Sequence, residues 1–89
     1  MAKIHIHRIH RAHTGGLKEI EVRGKTVREC LDGLVRIHPE MGEAIFDQGG
    51  YLNPGLEIYV NFESAYPDEL GRPVGDRDEI HLALLLAGG

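Results

Sequence analysis

Only one long stretch of this chain repeats its apolar residues at helical spacing. Val27, Cys30, Leu31, Leu34 and Val35 fall on one side of a helix running to about Ile37. Thr26-Val27-Arg28-Glu29 ahead of it fits a capping box, in which the Thr26 hydroxyl accepts from the Glu29 amide while that carboxylate reaches back. His38-Pro39 stops the helix, because a residue before proline avoids helical backbone angles. A lone amphipathic helix must bury its apolar stripe on something, so the rest of the chain has to supply a sheet.

The remaining apolar residues do alternate by two. Ile4 and Ile6 interleave with His5 and His7, and Ile20 and Val22 with Glu19, Glu21 and Arg23; Thr14-Gly15-Gly16 lies between them as a turn. This reads as a hairpin with a long, irregular loop. Met41, Ala44 and Ile45 suggest a short second helix over 40–46. Leu56, Ile58, Val60 and Phe62 alternate with Glu57, Tyr59, Asn61 and Glu63, a half-buried strand with Phe62 on its core side. Residues 64–79 read as loop, punctuated by Pro67, Gly71, Pro73 and Gly75. In the last strand Ile80, Leu82, Leu84 and Leu86 face one way, and His81, Ala83 and Leu85 the other. Strand, strand, helix, strand, strand predicts an α+β domain: a mixed sheet with one main helix on one face. Tyr59, Ala83 and Leu85 then share the open face as an apolar patch suited to docking a partner.

At 89 residues and 42% hydrophobic, the chain supports one core and a single domain spanning 1–89. A formal charge of −4 argues against a general nucleic-acid binder, although basic residues crowd the first third and acidic ones the end. No apolar run approaches the roughly 18 residues of a membrane span, and the N-terminal stretch lacks a signal peptide's apolar core. A cytoplasmic protein with no membrane association is expected. The single cysteine, Cys30, excludes an internal disulfide or a four-thiolate metal site, and its place on the helix's apolar stripe predicts a buried, inert thiol. Gly24-Lys25-Thr26 is half of a phosphate-binding loop. The full motif needs glycine where Glu19 stands, so ATP binding by this chain is not expected. His5 and His7, two apart on one strand face, form a potential chelating pair. With no acid or cysteine nearby in the sequence, surface histidines are the expectation and no metal site is assigned. No Ser/His/Asp set or carboxylate pair has meaningful spacing, so the domain is not expected to be an enzyme.

The chain closes on Leu86-Ala87-Gly88-Gly89. Two glycines there finish no ladder and cap no helix, but they make a thin, flexible tail over 87–89 that can thread a narrow channel. With this ending, the chain resembles the ThiS/MoaD family of ubiquitin-like, β-grasp sulfur carriers over essentially its whole length. Thr14-Gly15-Gly16 is similar to that family's first turn, and Glu21 to Glu29 to its strand–turn–helix entry. Tyr59-Val60-Asn61 resembles its V-N-G strand end, with Phe62 where glycine is usual. Val74-Gly75-Asp76-Arg77-Asp78-Glu79-Ile80 resembles its L-K-D-G-D-E-V approach to the last strand.

The resemblance implies a role for Gly89. Its carboxylate is adenylated by a ubiquitin-activating-type, ThiF/MoeB-like partner using ATP and magnesium, with no cofactor bound by the carrier itself. A sulfur donor then displaces AMP, leaving a thiocarboxylate that delivers sulfur to a synthase partner, molybdopterin-synthase-like or of the ThiS thiamine route. Gly88 serves as the thin neck, and Leu86 and Ala87 join Tyr59, Ala83 and Leu85 in partner binding. From Leu86 onward the tail reaches about 13 Å at roughly 3.3 Å per residue. The same activated carboxyl would also suit a ubiquitin-like modifier joined to lysines, and a β-grasp interaction module that carries no sulfur is the third reading.

Overall fold

The helix forms where the spacing puts it. The structure, a computed structural model, describes residues 1–84, and in it α1 spans Val27–Ile37 with Val27, Cys30, Leu31 and Leu34 buried. Thr26 holds extended angles (φ −134°, ψ 162°), and its hydroxyl accepts from the Glu29 amide at 3.2 Å. The Glu29 carboxylate reaches one residue further back than a capping box requires and takes the Lys25 amide at 2.9 Å. A single 3-10 turn, Pro39–Met41, leads into the short α2, Gly42–Ile45, which buries Ile45.

Five strands form the sheet: β1 (Ala2–His5), β2 (Glu19–Val22), β3 (Leu56–Val60), β4 (Glu63–Ser64) and β5 (Glu79–Leu84). Their order is β2-β1-β5-β3-β4. β1 runs antiparallel to β2 and parallel to β5, and β3 runs antiparallel to both β5 and β4. The sheet is therefore mixed, with the last strand at its centre. Ala2, Ile4, Val22, Leu56, Ile58, Val60, Ile80 and Leu82 turn inward and meet the apolar stripe of α1, Met41 and Ile45 in one core. The α+β architecture expected from the pattern, and the β-grasp fold that the resemblance implies, are the observed ones.

Two local readings change. The first strand ends at His5, although Ile6 stays buried; His7 instead caps a 3-10 helix, Arg8–Thr14, accepting from the Ile9 amide at 3.2 Å. Thr14 closes that segment from inside, its hydroxyl 3.2 and 3.0 Å from the Arg11 and Leu17 carbonyl oxygens. At the other end of the sheet, β3 stops at Val60 and the chain reverses through Asn61 (φ 52°) and Phe62 (φ 67°) into β4. Positive φ at both central residues makes a tight hairpin turn, which breaks the period-two count. Phe62 is consequently 79% exposed rather than part of the core.

Candidate functional site

The residues expected to meet a partner divide in two. Leu85, Leu86, Ala87, Gly88 and Gly89 lie outside the described residues, whereas Tyr59 and Ala83 sit half-buried on β3 and β5. Both side chains are on the sheet face away from α1, because both alternate with buried positions. They are not direct partners: Tyr59 pairs with His81, and Ala83 with Glu57.

That face is polar where the sequence pattern suggested an apolar patch. Lys3 and His5 of β1, Glu79 and His81 of β5, and Glu57 of β3 share it with Tyr59 and Ala83. Tyr59 donates its phenol proton to Glu57 Oε2 at 3.0 Å, and this hydrogen bond pushes the phenol pKa up. His5 Nε2 lies 2.6 Å from Glu79 Oε1, which holds the Glu79 carboxyl below its usual range. The His5 and His81 rings stack in parallel, 4.2 Å apart, and the Phe62 ring stacks on His81 at 4.6 Å. Burial, then the neighbouring His5, lowers the His81 pKa against the opposing pull of Glu79. His5, Glu79 and His81 each present a donor atom within 4.8 Å of the others. Sequence reasoning missed this group because it joins strands from opposite ends of the chain. Its only sequence signal was the V-N and D-E pattern that implies the topology.

Those two motifs are physically joined. The Asn61 amide nitrogen donates to Asp78 Oδ1 at 3.0 Å, and its carbonyl oxygen accepts from the Glu79 amide at 3.0 Å. Asp78 Oδ2 also accepts from the Gly75 amide at 2.8 Å, and these two donors lower the Asp78 pKa, Asn61 first. Asn61 thus locks the β3 turn onto the start of β5.

The other sequence signals also find their places. Ahead of α1, Val27 N–H goes to Arg72 O (2.9 Å), Arg28 N–H to Leu70 O (3.0 Å), Glu29 N–H to Thr26 Oγ1 and Cys30 N–H to Thr26 O (3.1 Å). The amides of the first helical turn and of Lys25 are already taken, so Gly24-Lys25-Thr26 is a helix entry. Cys30 is fully buried, and burial raises its thiol pKa. His5 and His7 do not pair, since His7 has left the strand. Beside the end of β5, His5, His7, Arg8, Arg11, His81 and Leu82 line a shallow, basic depression, with Arg11 Nε donating to Ile6 O at 3.2 Å.

No family model matches the chain. Over 82 residues it is 29% identical to the sulfur carrier protein CysO of Mycobacterium tuberculosis, covering 89% of this chain and 88% of that one. Its backbone superposes on a chain of the Amycolatopsis orientalis BexX/CysO complex with a TM-score of 0.90 and 30% identity, each chain covered in full. The chain belongs to the ubiquitin-like, β-grasp sulfur-carrier family. A further member-like fold is the small archaeal modifier protein SAMP1 of Haloferax volcanii, at a TM-score of 0.80 and 26% identity over 99% of this chain and 98% of that one. The CysO relatives of this family are named as carriers, not catalysts, and the Amycolatopsis structure is of a complex with BexX. No helix among the described residues is long and apolar enough to cross a membrane.

Proposed function

We propose that this chain carries sulfur on its Gly89 carboxylate. A ThiF/MoeB-like activating enzyme joins that carboxylate to the AMP moiety of magnesium ATP, releasing pyrophosphate. Activation is needed because a carboxylate's charge repels nucleophiles, while an acyl-adenylate is neutral at carbon and carries a good leaving group. A sulfur donor displaces AMP, and the thiocarboxylate passes sulfur to a synthase partner. Whole-length likeness to sulfur carriers, at a TM-score of 0.90, is the observation that supports this reading most strongly. Neither pterin nor thiamine synthesis figures in those relatives' names, so the molybdopterin-type or ThiS-type acceptor rests on the sequence motifs alone. The body contributes no catalytic group; Tyr59, Ala83 and their polar neighbours serve as the docking face.

Intact-mass spectrometry after incubation with the host's activating enzyme, magnesium ATP and a sulfur source tests the proposal. One terminal oxygen should be replaced by sulfur; failure with every cognate enzyme overturns the reading. The likeness to SAMP1 favours a second use of the same activated carboxyl, conjugation to lysine amines. Lysine adducts of this chain in host extracts, without any thiocarboxylate pool, would put that reading first.

A further inference from the structure

We propose that His5, Glu79 and His81 form a binding site for a divalent transition-metal ion of the zinc type on the open sheet face. Two imidazoles and one carboxylate are the donor set such an ion prefers, and three protein ligands leave a coordination position open to water. The three come from two hydrogen-bonded strands. His5 and His81 are register partners across the parallel β1–β5 pair, and Glu79 lies one pleat before His81 on the same face. Their donor atoms already lie within 4.8 Å of one another, on a backbone that costs little to organise.

A second carboxylate supports the first ligand. Glu19 of β2 pairs with His5 in the sheet register, and its Oε2 lies 3.8 Å from His5 Nδ1, on the opposite side of the ring from Glu79. Lys3 Nζ holds the other Glu19 oxygen at 3.6 Å. When His5 Nε2 ligates a metal, Nδ1 carries the proton, and a carboxylate on that side fixes both tautomer and ring orientation. His81 supplies an independent sign: its Nε2 is shut away from water without a hydrogen-bond partner among the described residues. Such an atom is rare unless water or an ion satisfies it.

Binding requires two changes. Any proton shared between His5 and Glu79 is released as the metal takes its place. The parallel rings must also hinge toward each other, since an ion about 2.0–2.1 Å from each nitrogen lies in the plane of both. Phe62 walls the far side of His81, so the tilt falls to His5: the metal replaces its Nε2 contact with Glu79, and Glu19, still 3.8 Å from Nδ1, closes on the ring in its new orientation.

The test is titration of the untagged protein with zinc chloride, followed by calorimetry and by imidazole proton resonances. One equivalent should shift the His5 and His81 signals, with little change at His10 and His13. His5→Gln and His81→Gln should each weaken binding by at least about 10–100-fold, the range seen even for second-shell losses. His13→Gln should leave affinity unchanged. Zinc should raise the melting temperature of the wild type and not of His81→Gln, because a ligand stabilises only the state that binds it. Equal shifts at all histidines, undiminished affinity in both glutamine variants, or no saturable binding would each overturn the site. Circular dichroism of the variants without metal separates ligand loss from unfolding, and Glu79→Gln, which keeps side-chain volume, supplies a third ligand deletion if either histidine variant fails to fold.

Discussion

Phe62 stands at φ 67°, a backbone angle that an L-residue with a Cβ reaches only at a cost of about 1–2 kcal/mol. Gly and Ala at this position therefore separate backbone from side chain. Both lose the ring stacked on His81, but only glycine relaxes the turn. Phe62→Gly should be more stable than Phe62→Ala by about 1 kcal/mol, the reverse of their order inside a regular strand. Urea denaturation of the two variants decides it; an alanine variant as stable as the glycine one would mean that the turn is not left-handed. His10 offers a pH test. Burial, then His13 and His7, lowers its pKa from the ordinary 6.5, and its Nε2 has no partner among the described residues. The unfolded chain therefore binds this proton more readily than the folded one. The His10 contribution to stability is complete above about pH 6.5 and is lost as pH falls toward its lower folded value. His7 and His13 face the same region, with Glu40 3.2 Å from His13. His10→Gln should lose less stability than wild type between about pH 7 and 5, measured as urea midpoints; parallel profiles would remove His10 from the acid response.

At the scale of elements, the junction between β2 and α1 is tight against backbone. A Cβ on Gly24 would stand 2.8 Å from both the Cys30 amide nitrogen and the Cys30 sulfur. Backbone cannot give way as a flexible side chain does, so Gly24→Ala should cost about 1–3 kcal/mol. Thermal melting measures it, and an unchanged midpoint would show that the approach is looser than described. This junction was readable in advance because capping and helical spacing are local: Thr26, Glu29 and the buried stripe of α1 all lie within a few residues of one another. The core sides of β3 and β5 were readable for the same reason. Alternation, however, presumes an unbroken extended backbone, and Asn61 with Phe62 breaks it, which put Phe62 on the wrong side. Pairing between chain ends leaves no periodic trace at all. His5 and Glu79 are 74 positions apart, so the group they form with His81 had to be seen in three dimensions.

For the whole molecule, stability and function should separate cleanly at the tail. Leu84 is the last residue paired in the described sheet, opposite Leu56. Deleting Gly89, or replacing Gly88 with valine, should leave the melting temperature almost unchanged while abolishing sulfur transfer. Deletion draws the carboxyl back by roughly 3.3 Å, and a misplacement of about 1 Å already costs on the order of 100-fold in rate. Single-turnover transfer and melting on the same samples check both halves, and full transfer by the deletion variant would mean that Gly89 is not the reacting group.

The central position of β5 also has a mechanical meaning. The strand that leads toward the chain's C-terminus is held by β1 along its first half, Glu79 to His81, and by β3 from Ile80 to Leu84. A pull along the chain beyond Leu84 therefore loads the two ladders in shear, so their hydrogen bonds share the force instead of opening one at a time. A strand seated this way can be pulled from its C-terminal side without unravelling the body behind it.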